Sequence, residues 1–100
     1  MKSIVQQRRS VNSFPVKCFY DFSASEGTKV ALIVSKKRFP HATDRNRVKR
    51  LMREAYRLNQ DLLGDKHYLI AFNYMDKEEQ PFTVIEKAVC KSLKKISERS

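Results

Sequence analysis

Glycine is scarce: with only Gly27 and Gly64 in the chain, there is no glycine-rich loop of the kind that cradles nucleotide phosphates. Cysteine is equally sparse. Cys18 and Cys90 stand 72 positions apart with no CxxC or Cys/His pairing around them, which leaves a structural zinc or a disulfide framework without support and points to two reduced, mostly buried thiols. No apolar run approaches the roughly 18 residues that a membrane span needs, and residues 1–20 hold no apolar core of the secretory-signal type. The expectation is therefore a soluble, cytoplasmic protein with no membrane partner. Acidic residues are also in deficit, 11 against 21 lysines and arginines, for a net charge of +10. Such an excess concentrates polyanions around a protein and favours nucleic acid as the partner.

What is present is globular in character. Hydrophobic residues make up 41% of the 100 positions and include six Phe and four Tyr, enough for one core but not for a second independent domain. No linker, repeat or low-complexity tract divides the chain, so residues 1–100 are expected to form a single domain. Residues 3–8 (SIVQQR) and 16–22 (VKCFYDF) read as strands, joined by the turn-prone Ser10-Val11-Asn12-Ser13. The second strand places Val16, Cys18, Tyr20 and Phe22 on one face. Residues 30–34 (VALIV) form a third strand, and the lack of alternation there predicts a central position covered by helices on at least one side. Residues 68–73 form a fourth.

Two helices complete the pattern. One is expected over residues 44–63, with Asp44 as N-cap and Gly64 as the stop. The other spans residues 82–98, where Phe82, Ile85, Val89, Leu93 and Ile96 recur at helical spacing and Thr83 with Glu86 offers a capping box. The predicted fold class is α+β, a two-layer sandwich. A four-stranded sheet carries a basic helix within a strand-helix-strand unit, and an amphipathic helix lies at the C-terminus.

Charge is concentrated in residues 36–57, which hold Lys36, Lys37, Arg38, Arg45, Arg47, Lys49, Arg50, Arg53 and Arg57 against only Asp44 and Glu54. At about 100° per residue with Arg45 as origin, Lys49, Arg53, Asn46, Arg57 and Arg50 fall between roughly 40° and 140°. Leu58, Leu51, Leu62, Ala55, Val48 and Met52 fall between roughly 220° and 340°, an apolar stripe that holds the helix on the sheet. Arg47, near 200°, lies on the flank, in reach of RNA or of a neighbouring loop. An idle helix face usually interleaves acids, whereas this one offers only Glu54, placed to pair with Arg50 or Arg57. Mutually repelling cations on one face call for a phosphate partner. Arginine outnumbers lysine here, and its planar fork suits a structured RNA. A DNA-reading helix-turn-helix needs a second helix across a short turn, and a strand stands there instead. RNA is preferred to DNA.

The residues of protein-borne phosphodiester cleavage are not assembled in this sequence. Acids are scattered, the densest group being Asp76, Glu78 and Glu79 in a predicted loop, and no histidine lies near them. His41 and His67 are 26 positions apart. No catalytic protein residue and no protein-held metal are expected.

The stretch VSKKR at residues 34–38, followed by RNRVKRLMREAYR at residues 45–57, resembles the signature of the ribonuclease P protein family, whose RNR-x-KR helix follows a strand ending in Ser- or Ala-Lys-Lys. The resemblance covers about residues 14–97. It implies a subunit of a ribonucleoprotein endoribonuclease that removes the 5′ leader of precursor tRNA, with catalysis by the RNA and its bound Mg2+. It implies as partners the ribonuclease P RNA and precursor tRNA, with Arg45, Asn46, Arg47, Lys49, Arg50 and Arg53 on the catalytic RNA, helped by Lys36, Lys37 and Arg38. It also implies a left-handed strand-helix-strand crossover, where handedness rules alone predict a right-handed one. The leader would lie in a cleft between sheet and helix, to which Arg8, Lys17 and Phe19 are assigned. Family members carry a further helix before the first strand, and nothing like it precedes Met1-Lys2-Ser3; either the sequence is truncated or mis-started or this version lacks the helix, and in both cases one wall of the cleft is expected to be missing. A structural RNA-binding protein of ribosomal type, with no part in cleavage, is the alternative.

Overall fold

The computed structural model describes residues 9–22, 27–64 and 66–99. Its elements run β1 (Arg9–Ser13), β2 (Val16–Phe22), β3 (Lys29–Val34), α1 (Ala42–Asn59), a 3-10 turn (Gln60–Leu63), β4 (Tyr68–Tyr74) and α2 (Phe82–Arg99). The four strands form one sheet in the order β1-β2-β4-β3. β2 is antiparallel to both β1 and β4, whereas β3 and β4 run parallel because α1 carries the chain back between them.

One face of the sheet is closed by both helices. Val11, Val16, Cys18, Tyr20, Ile70, Phe72 and Tyr74 are buried there, together with Val48, Met52 and Ala55 of α1 and Ile85, Val89, Leu93 and Ile96 of α2. The Tyr56 ring of α1 lies 6.1 Å from that of Phe72. Ser92 is the buried polar residue of this layer, and its hydroxyl donates to the Ala88 carbonyl at 2.9 Å. The opposite face carries no helix among the described residues.

The α+β sandwich and its two helices match expectation, and five details differ. The polar stretch at residues 10–13 is strand, not turn. The chain reverses at Phe14-Pro15, joined by a cis peptide, with Ser13 opposite Val16. Residues 3–8, expected as the first strand, lie outside the described residues. β3 is an edge strand rather than a central one, and its burial alternates, with Val30 and Leu32 half-buried while Ala31 and Ile33 are exposed. The first helix starts two residues early. His41 occupies the N-cap and its carbonyl accepts from the amides of Asp44 and Arg45 at 3.2 Å each, so Asp44 lies in the first turn, where its charge suits the helix dipole. Likewise α2 begins at Phe82, and the Pro81 carbonyl accepts from the amides of Val84 and Ile85 at 3.0 and 3.2 Å. Thr83 is thus already helical and no capping box forms. Gly64 does end the segment that α1 opens, with a φ of 71° that side-chain-bearing residues rarely adopt. Leu58, assigned to the apolar stripe, is 52% exposed, because the chain tightens into the 3-10 turn just beyond it.

Candidate nucleic-acid interface

The segment before α1 is fixed before any cation is displayed. The Phe39 ring is buried 5.8 Å from that of Tyr74, the Phe39 amide donates to the Ser35 carbonyl at 3.0 Å, and the Lys37 amide donates to the Ser35 hydroxyl at 3.1 Å. This tight turn leaves Lys36 and Lys37 exposed and Arg38 half-buried. Arg45 reaches back from α1, and its Nη1 donates to the carbonyls of Phe39 and Pro40 at 2.9 and 3.0 Å. One end of that guanidinium therefore clamps the turn onto the helix and does not stand free in solvent.

Arg47 is also engaged. Its Nε donates to Glu79 at 2.7 Å and its Nη2 to Asp44 at 2.6 Å. Glu79 belongs to the acidic loop over residues 76–80, which Tyr74 organises by donating its hydroxyl to the Glu78 carbonyl (2.7 Å) and accepting from the Gln80 amide (2.9 Å). Asp76 accepts from the Gln80 side chain at 2.7 Å and from the Glu78 amide at 3.1 Å, and these bonds hold its carboxyl below the usual range. Farther along, Arg57 makes a two-pronged bond to Glu54 at 2.6 and 2.9 Å, which lowers the carboxyl and raises the guanidinium. Of the two partners open to Glu54, Arg57 is the one used.

Lys49, Arg50 and Arg53 have no carboxylate partner among the described residues. With Thr43, Asn46 and Arg47 they border a shallow hollow of about 540 Å³. Arg50, Arg53 and Asn46 are exposed and Lys49 is half-buried. The cationic face expected from the sequence is present, but three of its arginines are committed: Arg45 to carbonyls, Arg47 and Arg57 to carboxylates.

The uncovered face of the sheet forms a second surface. The strand register puts Ser10, Phe19, Ala71 and Ala31 in one row across it, with Asn12, Lys17, Asn73 and Ile33 in the next. Phe19, Asp21, Lys29, Ile33, Leu69 and Ala71 line an open trough of about 400 Å³. Lys17 holds its ammonium 5.2 Å from the Phe19 ring centre. Lys17 and Phe19, both assigned to a cleft from the sequence, therefore share this face, and Arg8 lies outside the described residues. Ile33, Leu69, Ala31 and Ala71 were not singled out in the sequence, because only the register shows that they join Phe19.

The remaining candidates go elsewhere. Cys18 and Cys90 are free thiols, and burial pushes Cys18 up to about 12. His67 accepts from the Gly27 amide on Nδ1 at 3.1 Å. Among the described residues no group of three or more His, Cys, Asp or Glu is placed to hold a metal ion, and no helix is long and apolar enough to cross a membrane.

Comparison with known proteins agrees with this architecture. The family model described as Ribonuclease P matches residues 1–97. The ribonuclease P protein component of Porphyromonas gingivalis is 39% identical over 93 residues, covering 84% of this chain and 68% of that protein. That of Chlorobaculum tepidum is 46% identical over 56 residues, 46% of this chain and 36% of that protein. Among solved structures, the RNase P protein of Thermotoga maritima superposes with a TM-score of 0.79 at 20% identity, covering 94% of this chain and 88% of that one. The Staphylococcus aureus RNase P protein gives 0.73 at 19% identity, covering 95% and 86%; at these identities the structures speak for the fold. With residues 1–97 matched by the family model, and with 39% identity to a relative covered over two thirds of its length, the chain belongs to the ribonuclease P protein family.

Proposed function

We propose that this chain is the cytoplasmic protein subunit of a ribonuclease P ribonucleoprotein, binding the catalytic RNA on α1 and the 5′ leader of precursor tRNA on the open sheet face. The observation that carries the first half is the trio Lys49, Arg50 and Arg53, exposed or half-exposed on one helix face without a carboxylate partner among the described residues. Together with Asn46 and the Lys36, Lys37 and Arg38 turn, they take phosphate oxygens of the catalytic RNA. Arg45, Arg47 and Arg57 flank this patch and contribute less, since each is already bonded within the protein. Lys17 and Phe19 support the second half: an aromatic face for an unpaired base and an ammonium for the adjoining phosphate.

In this reading the protein screens phosphate repulsion and positions substrate, and the RNA performs the cleavage with Mg2+ that it holds itself. Four of the acids support that division: Asp44, Glu54 and Glu79 are spent on arginines and Asp76 on its own loop.

The test is reconstitution. Precursor tRNA is incubated with magnesium at near-physiological salt, with the protein, with the cognate ribonuclease P RNA, and with both. The expected result is cleavage by the RNA that the protein stimulates, and none by the protein alone. Absence of stimulation would favour a purely structural RNA-binding role, and cleavage by the protein alone would overturn the division of labour. Arg50→Gln with Arg53→Gln should flatten the log–log salt dependence of RNA affinity by about two, one for each lost phosphate contact.

A further inference from the structure

We propose that the outward face of α2 is a second RNA-backbone site, formed by Lys87, Lys91, Lys94 and Lys95. This rests on the reading of the chain as an RNA-binding subunit and extends it to a surface that the RNR-x-KR motif does not include. Counted by unpaired cations among the described residues, α2 outranks the helix that carries the motif. On α1, Lys49, Arg50 and Arg53 remain after internal bonds are made, whereas all four α2 lysines are exposed and none has an ion-pair partner.

Their placement is not that of scattered solubilising charge. Taking Lys87 as origin at about 100° per residue, Lys91, Lys94 and Lys95 fall within roughly 80° of it, on one stripe. The buried residues Ile85, Ala88, Val89, Ser92, Leu93 and Ile96 occupy roughly 100° to 240°, on the other side. Glu86 is turned away toward α1, where its carboxylate accepts from Asn59 at 3.4 Å. Glu98, near the end of the stripe, pairs with none of the lysines. Lysines in the last turns of a helix favour its dipole, but Lys87 lies in the second turn and gains nothing from it.

The chemistry of the patch selects its ligand. The apolar side of α2 is spent on the core, leaving Val84 as its one exposed large apolar residue, so the helix has no face to insert into a bilayer. Lysine is a flexible point charge, without the planar fork with which arginine reads structured RNA, and suits a phosphate backbone irrespective of sequence. The stripe is turned about 125° around α2 from Glu86, which marks the side toward α1. It therefore meets a stretch of backbone distinct from the one on the basic face of α1.

The experiment measures affinity of the full chain for ribonuclease P RNA bound to precursor tRNA across a salt series. The variant Lys87→Gln/Lys91→Gln/Lys94→Gln/Lys95→Gln should flatten the log–log slope by about three and weaken binding at least about tenfold at physiological salt. Lys66→Gln/Lys77→Gln, which removes charge outside both helices and outside the proposed stripe, should leave the slope nearly unchanged. An unchanged slope in the α2 variant, or an equal loss in the control, overturns the inference. Arg50→Gln/Arg53→Gln is run alongside: if it too has no effect, the RNA-binding reading itself fails. Should the α2 variant not fold, lysine acetylation of the unaltered protein decides, since RNA must protect Lys87, Lys91, Lys94 and Lys95 several-fold. Full reactivity in the complex counts against the site.

Discussion

The two faces of the sheet are built from similar side chains and have opposite fates. On the covered face Val11, Cys18, Tyr20, Ile70 and Phe72 are buried beneath the helices. On the other, Phe19, Ala31, Ile33, Leu69 and Ala71 line an open trough, with Ile33 and Leu69 each more than two-fifths exposed. Leaving a contiguous apolar surface in water forgoes burial energy, and proteins keep such surfaces where something binds. Charge marks both faces: Lys17 lies beside Phe19 on the open one and Lys29 and Asp21 line its trough, while Arg9 stands over the Phe22 ring at the end of the covered one. Under the function proposed above, Phe19 and Lys17 on the open face would take an unpaired nucleotide, the ring a base and the ammonium its phosphate. The covered face should therefore answer to stability measurements and the open face to binding measurements.

Phe72 tests the first half most strongly. Its ring is wholly buried against Tyr56 and the helix layer, so Phe72→Ala should cost about 3–5 kcal/mol in urea unfolding. A loss below about 1 kcal/mol would mean that the helices do not close this face. Cys18, two strands' width from β3, tests the same burial through pH. Its native thiol titrates near 12 against an ordinary 9.0, so the unfolded chain releases this proton first. Stability from this group is complete below pH 9 and is lost as pH rises from there toward 12, by about 1.4 kcal/mol per pH unit. The difference between the native chain and Cys18→Ala in alkaline unfolding isolates it, and parallel pH curves would show that Cys18 is not desolvated. Phe19→Ala addresses the open face. We expect stability to change by less than about 1 kcal/mol, while affinity for precursor tRNA falls roughly fivefold or more and affinity for leaderless tRNA stays level, as loss of one stacked base implies. Equal losses for both RNAs would remove the leader from this face.

How much of this was legible beforehand depends on whether the signal was local. The faces of both helices were readable because apolar positions recur at 3.6 residues, and the RNR-x-KR spacing marked the basic one. The Val30 to Val34 run was read as a central strand because continuous apolarity normally means burial on both sides. β3 is an edge strand whose second face is apolar and open, and a single strand's sequence does not separate those cases. Residues 10–13 read as a turn for the opposite reason: Val11 is the only large apolar residue of β1, and the polar residues around it are turn-prone. The hold of Arg45 on the Phe39 and Pro40 carbonyls depends on how the turn before the helix folds, and of the two partners open to Arg47 the loop is the one used, through Glu79, 32 positions away. Spacing alone showed cations, and the fold shows which of them are free.

The smallest effect gives the sharpest contrast, because it compares neighbours. Tyr20 and Phe19 are adjacent on β2 and point to opposite faces. The Tyr20 hydroxyl is buried and finds no hydrogen-bond partner among the described residues. A hydroxyl removed from water without a partner is a net penalty of about 1–3 kcal/mol, only part of which is recovered when it is deleted and the ring repacks. Tyr20→Phe should accordingly raise stability by about 1 kcal/mol. The reverse change next door, Phe19→Tyr, adds a hydroxyl on a face that water reaches and should leave stability within about 0.5 kcal/mol. Both are read from the midpoint of urea unfolding at an unchanged slope. If Tyr20→Phe destabilises, its hydroxyl has a partner in the folded chain, and if Phe19→Tyr destabilises by more than 1 kcal/mol, the face it lies on is closed.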